Sequence, residues 1–157
     1  MMHLEITPVP ESDKPALWDM LQTYIAGMTA YVDVKSANGV YSYENFDKYW
    51  ADDDRFPFWA IYSGERVGFA LVWNDRDHDI FRMSEFYVRP ESRRLNLGTA
   101  FARDVIERFP GRWKIRQIAR NAPAVAFWRR TLAPYNYTEA NFHDRGLERW
   151  EQSFVIR

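Results

Sequence analysis

The sequence contains no cysteine. This absence excludes disulfide bonds, a thiolate nucleophile, iron–sulfur clusters and zinc sites built on cysteine. Histidine is scarce as well, because the sequence has three, His3, His78 and His143, and they share no metal-ligand spacing. We therefore expect the protein to bind no metal.

Long apolar runs are also missing. The longest stretches without a polar residue, Phe56–Tyr62 and Val67–Trp73, have seven residues each, whereas a helix that crosses a bilayer needs about 20. The first five residues contain neither a basic segment nor an apolar one, so no signal peptide is expected. These absences predict a cytoplasmic protein that has no contact with membranes.

The composition is that of a folded chain. Of 157 residues, 46% are hydrophobic and 17% are aromatic, which gives more apolar area than disordered proteins have. The length fits one domain, residues 1–157. No nucleophile elbow, Walker motif or dinucleotide fingerprint occurs, so the hydrolase and nucleotide-binding classes that carry them are not indicated.

Charge is unevenly distributed along the chain, although the net charge is −1. The segment 89–130 has eleven basic and three acidic residues and carries +8, while the remaining ten basic and 19 acidic residues carry −9. Such a division indicates two partners of opposite charge, although solvated charges that cluster by chance give the same pattern. The acidic remainder disfavours a broad face for nucleic acid, so none is expected as a partner.

Hydrophobic periodicity predicts an α/β (α+β) domain with a mixed sheet. Helices are predicted from Ser12 or Asp13 to about Ala30, at Tyr43–Trp50, from Gly98 to Phe109, and from about Asn121 to Leu132. The predicted strands are His3–Val9, Phe58–Ser63, Arg66–Trp73, Ile80–Val88, Trp113–Ile118, Tyr135–Asn141 and Arg149–Ile156. The two residues between the second and third strands predict a tight hairpin.

The segment from Phe86 to Ala100 joins the end of a predicted strand to the beginning of a predicted helix. The first N–H groups of a helix have no intrahelical partner, and the helix dipole adds positive potential there. Together with Arg93 and Arg94, this connection predicts a site for a phosphate or pyrophosphate group. An ordinary connection with two exposed arginines would show the same pattern.

The run Arg93-Arg94-Leu95-Asn96-Leu97-Gly98 resembles the acetyl-coenzyme A motif of the GNAT superfamily of N-acetyltransferases, written Arg/Gln-x-x-Gly-x-Gly/Ala. The resemblance implies that the loop amides bind the pyrophosphate and that the strand backbone near Val88 pairs with the pantetheine arm. Asn96 stands where the family has its first glycine. Asparagine tolerates positive φ better than other non-glycine residues do, so the turn survives the change.

A second run, from Asn121 to Trp128, is similar to the family's Asn-x-x-Ala-x-x-Phe-Tyr motif. The resemblance implies that Asn121 caps the helix and reaches the pantetheine, while Phe127 and Trp128 wall the thioester. Trp128 replaces a tyrosine that often serves the family as general acid, and an indole N–H has no usable acidity. That role therefore does not carry over, and Trp128 resembles a subset of the family with Phe-Trp at this place.

The resemblance implies a GNAT fold, with a central mixed sheet of six to seven strands and about four helices. It implies acetyl-CoA as cosubstrate and a primary amine of a small molecule or peptide as acceptor. The residues implied to bind acetyl-CoA are Phe86, Tyr87, Val88, Arg93, Arg94, Asn96, Leu97, Gly98, Thr99, Asn121, Phe127 and Trp128. Two alternatives remain open. Asn96 and Trp128 also suit a module that binds coenzyme A without transfer, and the aromatic-rich segment 31–56 suits an interaction domain or a homodimer interface.

An ammonium acceptor must lose a proton before it attacks a thioester, so a base is needed. Glu85 lies on the strand that presents the thioester, and the family often has an acid here or one residue earlier, where this chain has Ser84. Adjacent strand residues point to opposite faces, so only one of the two is expected to face the acceptor. Glu85 paired with an arginine as a structural charge is the alternative. Tyr135 and Tyr137 are candidates for the missing acid.

Overall fold

The computed structural model describes residues 3–157, except for the side chain of Arg94. The strands are β1 (Leu4–Pro8), β2 (Ser36–Ala37), β3 (Val40–Tyr41), β4 (Arg55–Tyr62), β5 (Glu65–Asp75), β6 (Ile80–Val88), β7 (Gly111–Ile118), β8 (Thr138–Asp144) and β9 (Leu147–Ile156). The α-helices are α1 (Lys14–Met28), α2 (Lys48–Ala51), α3 (Leu97–Glu107) and α4 (Ala122–Leu132). This order confirms the predicted mixed α/β class.

Several boundaries differ from the prediction, and two of these differences involve turns. The strand expected to begin at Tyr135 begins at Thr138, because Ala133–Tyr135 continues α4 as a 3₁₀ turn that ends at Asn136 with φ +55°. The second helix is shorter than expected, since only Lys48–Ala51 is α-helical. In both places a turn replaces part of the predicted element. Turns depend on local hydrogen bonds, which the period of the apolar residues does not indicate.

Seven strands form one sheet in the order β1-β4-β5-β6-β7-β9-β8, in which only the β6–β7 pair of the described strands is parallel. Helices cover both faces. α3 and α4 pack on one face, where Phe101 and Trp128 join the larger core cluster. α1 and α2 pack on the other, where Leu21 and Tyr49 join a second cluster. Because side chains alternate along a strand, β5 supplies both clusters. We call these faces the α3 face and the α1 face.

The sheet opens between its central strands. Within residues 3–157 the β6–β7 ladder consists of two pairs, Phe81 with Trp113 and Arg82 with Lys114, although β6 continues to Val88. On its other edge β6 remains paired with β5 up to Val88, and the Arg89 N–H donates to the Val67 carbonyl at 2.8 Å. Antiparallel ladders alternate, so the backbone groups of Phe86 and Val88 point away from β5. They face the gap, which we call the β6–β7 opening.

Candidate active site

The turn that leads into α3 has the predicted left-handed residue. Asn96 has φ +56° and ψ +24°, and α3 begins at the next residue, Leu97. Its N–H donates to the Arg93 carbonyl at 3.2 Å, which closes the preceding 3₁₀ turn. Asparagine adopts this conformation more readily than other non-glycine residues. The replacement of the motif glycine therefore leaves the turn intact and the first α3 amides without intrahelical partners.

Gly98 brings the beginning of α3 against α4. A Cβ at Gly98 would lie 2.9 Å from Cε1 of Phe127, so any side chain there would displace the ring. The Arg130 guanidinium lies over the same ring, 5.9 Å from its centroid, and so places a cation beside the α3 N-terminus. Arg130 lies outside both sequence motifs and was noted only as part of the basic segment 89–130. The Thr99 and Thr131 hydroxyls form a hydrogen bond at 3.0 Å. The group of Thr99 that can bind a ligand is therefore its backbone N–H.

Arg93 binds the last residue of β6. Its Nε donates to the Val88 carbonyl at 2.8 Å, and its guanidinium lies 5.8 Å from the centroid of the Tyr87 ring. This bond uses a carbonyl of the free strand edge and holds the exposed side chain next to the opening. Among the residues that the structure describes, none accepts a hydrogen bond from the other two guanidinium nitrogens, which can therefore bind a phosphate. The Arg94 side chain lies outside the described residues, so its predicted phosphate contact stays a prediction.

Three aromatic rings wall the opening on the α3 face. Phe86 stacks on Phe127 with centroids 5.5 Å apart and meets Trp128 edge-on at 5.1 Å. Trp128 is buried, and no residue described in the structure accepts a hydrogen bond from its indole N–H. Asn121 caps α4 as expected, because its Oδ1 accepts from the Ala124 N–H at 3.3 Å. Its Nδ2 lies 3.8 Å from the Met28 sulfur, which ties the cap to α1.

Glu85 lies on the α1 face and is held by two phenols. The Tyr24 hydroxyl donates to Oε1 at 2.8 Å, and the Tyr43 hydroxyl donates to Oε2 at 3.0 Å. Burial raises the pKa of Glu85 to about 7, against the two phenol hydrogen bonds, which lower it. In the described part of the chain no Arg or Lys pairs with Glu85, so the alternative of an arginine-paired structural charge is wrong.

The prediction that only one of Ser84 and Glu85 faces the acceptor assumes strict alternation, which a β-bulge interrupts at this place. The β5–β6 register shifts between Leu71 and Val72, which pair with Glu85 and Met83, so Ser84 is the extra residue of a β-bulge. Ser84 lies beside Tyr49, since its hydroxyl counteracts the rise that burial causes in the Tyr49 pKa. Bulges interrupt strict alternation and re-aim side chains. Here the bulge sends both residues toward the α1 face.

Tyr135 lies far from this group, contrary to its predicted role as the acid. Its hydroxyl donates to Glu107 at 2.9 Å, and its ring stacks on Phe154 at 5.4 Å. Glu107 is the last residue of α3, and a helix of 11 residues is about 16 Å long. Tyr135 therefore sits at the opposite end of α3 from the opening, where it lines an open cleft of about 700 Å³. Tyr137 packs against the α3-face core.

The basic residues of segment 89–130 lie at several places in the fold, and some of them form ion pairs. Lys114 and Arg116 both pair with Glu151, and Arg129 pairs with Glu139. Arg93 and Arg130 remain beside the opening. Adjacent positions of a strand or helix point in different directions, so charges that are contiguous in sequence separate in space.

The aromatic-rich segment 31–56 packs inward. None of its seven aromatic residues in the described structure is exposed, and Phe46 and Tyr49 are fully buried in the α1-face core. The expectation of exposed rings for an interface is therefore wrong.

Among residues 3–157, no three His, Asp or Glu side chains are grouped so that they could hold a metal. No helix described here is long and apolar enough to cross a membrane.

Comparison with known proteins gives a family and a fold. A model of the acetyltransferase (GNAT) family matches residues 18–133, whereas curated protein sequences give no significant match. A proposed acetyltransferase from Acinetobacter baylyi has a TM-score of 0.74 at 14% identity, over 99% of this chain and 94% of that one. The ribosomal-protein-S18-alanine N-acetyltransferase from Escherichia coli has a TM-score of 0.64 at 16% identity, over 98% and 94%. A proposed acetyltransferase from Salmonella typhimurium, solved with its cofactor acetyl-CoA, has a TM-score of 0.69 at 13% identity, over 99% and 95%.

These likenesses confirm the resemblance that the two motifs carry. The seven-stranded mixed sheet and the four α-helices described above match the predicted architecture. The family match extends from α1 through α4 and takes in the left-handed turn, the opening and the capped helix. The chain belongs to the GNAT family of acetyltransferases.

Proposed function

We propose that this protein transfers an acetyl group from acetyl-CoA to a primary amine of a small molecule or peptide. One observation carries the proposal. The β6–β7 opening has the free amides of α3 at one end and the Glu85 carboxyl on its α1 face, so that an anion site and a proton acceptor flank one strand edge. Family membership supports acyl transfer. The Salmonella protein, which is similar in fold, was solved with acetyl-CoA.

The local structure fits the acetyl-CoA that this proposal requires. The pyrophosphate meets the amides of Leu97, Gly98 and Thr99, because helix N-termini bind phosphate well. Gly98 has no Cβ to obstruct close approach, and Arg93 and Arg130 supply positive charge. The pantetheine arm pairs like an added strand with the gap-facing backbone groups of Phe86 and the Val88 N–H, while the Val88 carbonyl keeps its bond from Arg93. The packed rings of Phe86, Phe127 and Trp128 then keep water from the thioester.

Glu85 is the base in this proposal. The amine attacks the thioester carbonyl carbon, the C–S bond breaks, and the proton lost by nitrogen goes to the Glu85 carboxylate, directly or through water. With its pKa near 7, Glu85 accepts this proton more readily than an ordinary carboxylate would, and it is still largely ionised above pH 7. No acid replaces the missing tyrosine. A thiolate whose thiol has a pKa of about 8.5 leaves without one and takes its proton from solvent.

Thermal unfolding with acetyl-CoA, followed by thiol release with a panel of amines, tests the proposal. Stabilisation by acetyl-CoA together with amine-dependent thiol release is the expected result. Stabilisation without release from any amine would favour the module that only binds coenzyme A. Absence of both would overturn acetyl-CoA as ligand. The Glu85→Gln variant is a matched control, because it should keep acetyl-CoA binding and lose transfer.

A further inference from the structure

Both oxygens of the partly buried Glu85 carboxyl are held by neutral donors. Each of its oxygens accepts one hydrogen bond, from Tyr24 at 2.8 Å and from Tyr43 at 3.0 Å. The two donors come from separate parts of the chain, since Tyr24 is in α1 and Tyr43 is in the connection between β3 and α2. The bonds therefore result from tertiary packing and not from local sequence.

The Tyr24 ring is fixed by the core. It meets the rings of Phe69 and Tyr87 at centroid distances of 5.7 and 5.8 Å, both edge-on. Burial, and after it the charge of Glu85, raises the pKa of both Tyr24 and Tyr43. Both phenols therefore stay protonated and keep donating over the whole pH range in which Glu85 titrates.

Neutral donors suit a group that has to accept a proton. An arginine beside Glu85 would hold its pKa low and make the carboxylate a poor base. The other polar groups of this region are Tyr49 of α2, Arg55 of β4 and Ser84 of β6, and Arg55 lies over the Tyr49 ring at 5.6 Å. The phenols orient both oxygens and occupy two of about four lone-pair sites, so two sites remain for an acceptor or water.

We propose that Tyr24 and Tyr43 are positioning residues for acetyl transfer, which together hold the Glu85 carboxylate ionised and oriented at the edge of the β6–β7 opening. This inference rests on the proposed function. It assigns the α1 side of the site to four side chains, because Ser84 and Glu85 share that face with the two tyrosines.

Removal of one phenol should change the pH dependence of transfer. A hydrogen bond to a charged group stabilises the ionised form, so its loss should raise the Glu85 pKa by about 1. At pH 7 the ionised fraction would fall from about one half to about one tenth, and kcat/KM would fall about fivefold. Near pH 9.5 the ionised fraction exceeds roughly nine tenths in both proteins, so activity should return almost to wild type.

The experiment compares Tyr24→Phe and Tyr43→Phe with wild type, using Tyr49→Phe as the control. Tyr49 is buried in the same core cluster, yet it donates no hydrogen bond to Glu85. Thiol release from acetyl-CoA gives kcat/KM between pH 5.5 and 9.5. Carbon-13 NMR gives the titration of the Glu85 carboxyl directly, with its signal assigned by its loss in Glu85→Gln. We expect both tyrosine variants, and not the control, to show the displaced profile and the raised titration midpoint.

The readouts separate the two proposals. An unchanged Glu85 titration in Tyr24→Phe and Tyr43→Phe, or an activity loss equal at all pH values, overturns the positioning role while wild-type transfer still supports the proposed function. A raised titration midpoint in a protein that releases no thiol with any amine overturns the proposed function, and positioning for transfer with it.

Discussion

Glu85→Gln should make the folded protein more stable above pH 7, although the variant should lose activity. The Glu85 pKa rises from its ordinary value of 4.5 to about 7 because the carboxyl is buried. The folded state therefore binds this proton more tightly than the unfolded chain does. Wild-type stability must then fall as the pH rises from about 4.5 through 7, and stay level above.

The size of this effect follows from the two pKa values. By linkage, ionisation of Glu85 lowers the free energy of unfolding by about 0.8 kcal/mol at pH 5 and by about 3.3 kcal/mol at pH 8, relative to the protonated form. The difference between the two pH values is about 2.5 kcal/mol. The glutamine introduced in the variant binds no proton over this range, so the difference between variant and wild type isolates the contribution of Glu85. The phenol hydroxyls can rotate to accept from the new amide, which limits the loss of hydrogen bonds.

Urea unfolding of both proteins at intervals from pH 5 to 8.5 measures the difference, and acetyl-CoA binding of the variant confirms an intact site. Between pH 5 and 8.5 the free energy of unfolding of the variant should rise by about 2.5 kcal/mol relative to that of wild type. A difference of that size raises Tm by about 5–10 °C for a protein of this length. A difference that stays constant with pH would refute the raised pKa, and with it the claim that Glu85 titrates near neutrality.

Three further outcomes are expected. Arg93→Ala should weaken acetyl-CoA binding by about 1–3 kcal/mol, by loss of charge-assisted bonds, and leave a short acetyl-pantetheine thioester unaffected; equal losses for the two ligands in calorimetry would show that Arg93 does not bind phosphate. Asn96→Gly should be tolerated, while Asn96→Val should lower the free energy of unfolding by about 1–2 kcal/mol through left-handed strain, so an unchanged urea midpoint for valine would contradict the turn. Trp128→Phe should retain most of the transfer rate and Trp128→Ala should lose both rate and acetyl-CoA affinity. Loss of activity and binding in a folded Trp128→Phe variant would mean that the indole N–H bonds the substrate.

Local sequence accounted for the parts of this protein that depend on neighbouring residues. Asn96 was predicted to be left-handed because it stands where the family motif has glycine and because asparagine tolerates positive φ, and its φ is +56°. The resemblance to the family implied that Asn121 caps α4, and its side chain does accept from an N–H three residues on. The period of apolar residues likewise predicted α3 and most of the strands, because burial of one face sets that period.

Long-range contacts decided the chemistry around Glu85. Tyr24 and Tyr43 are 61 and 42 residues away from it, and no local pattern indicates that both hydroxyls converge on one carboxyl. The bulge at Ser84 depends on the register with β5, so the strict alternation that the prediction assumed for Ser84 and Glu85 does not hold there. Tyr135 was misplaced for the same reason, because its distance from the opening depends on which end of α3 it contacts. Sequence by itself determined most of the elements and the left-handed turn, which follow from periodicity and local sterics. The family was indicated by the resemblance of its two motifs. The tertiary structure decided which side chains share a face, and therefore which carboxyl is buried, bonded and able to accept a proton near neutral pH.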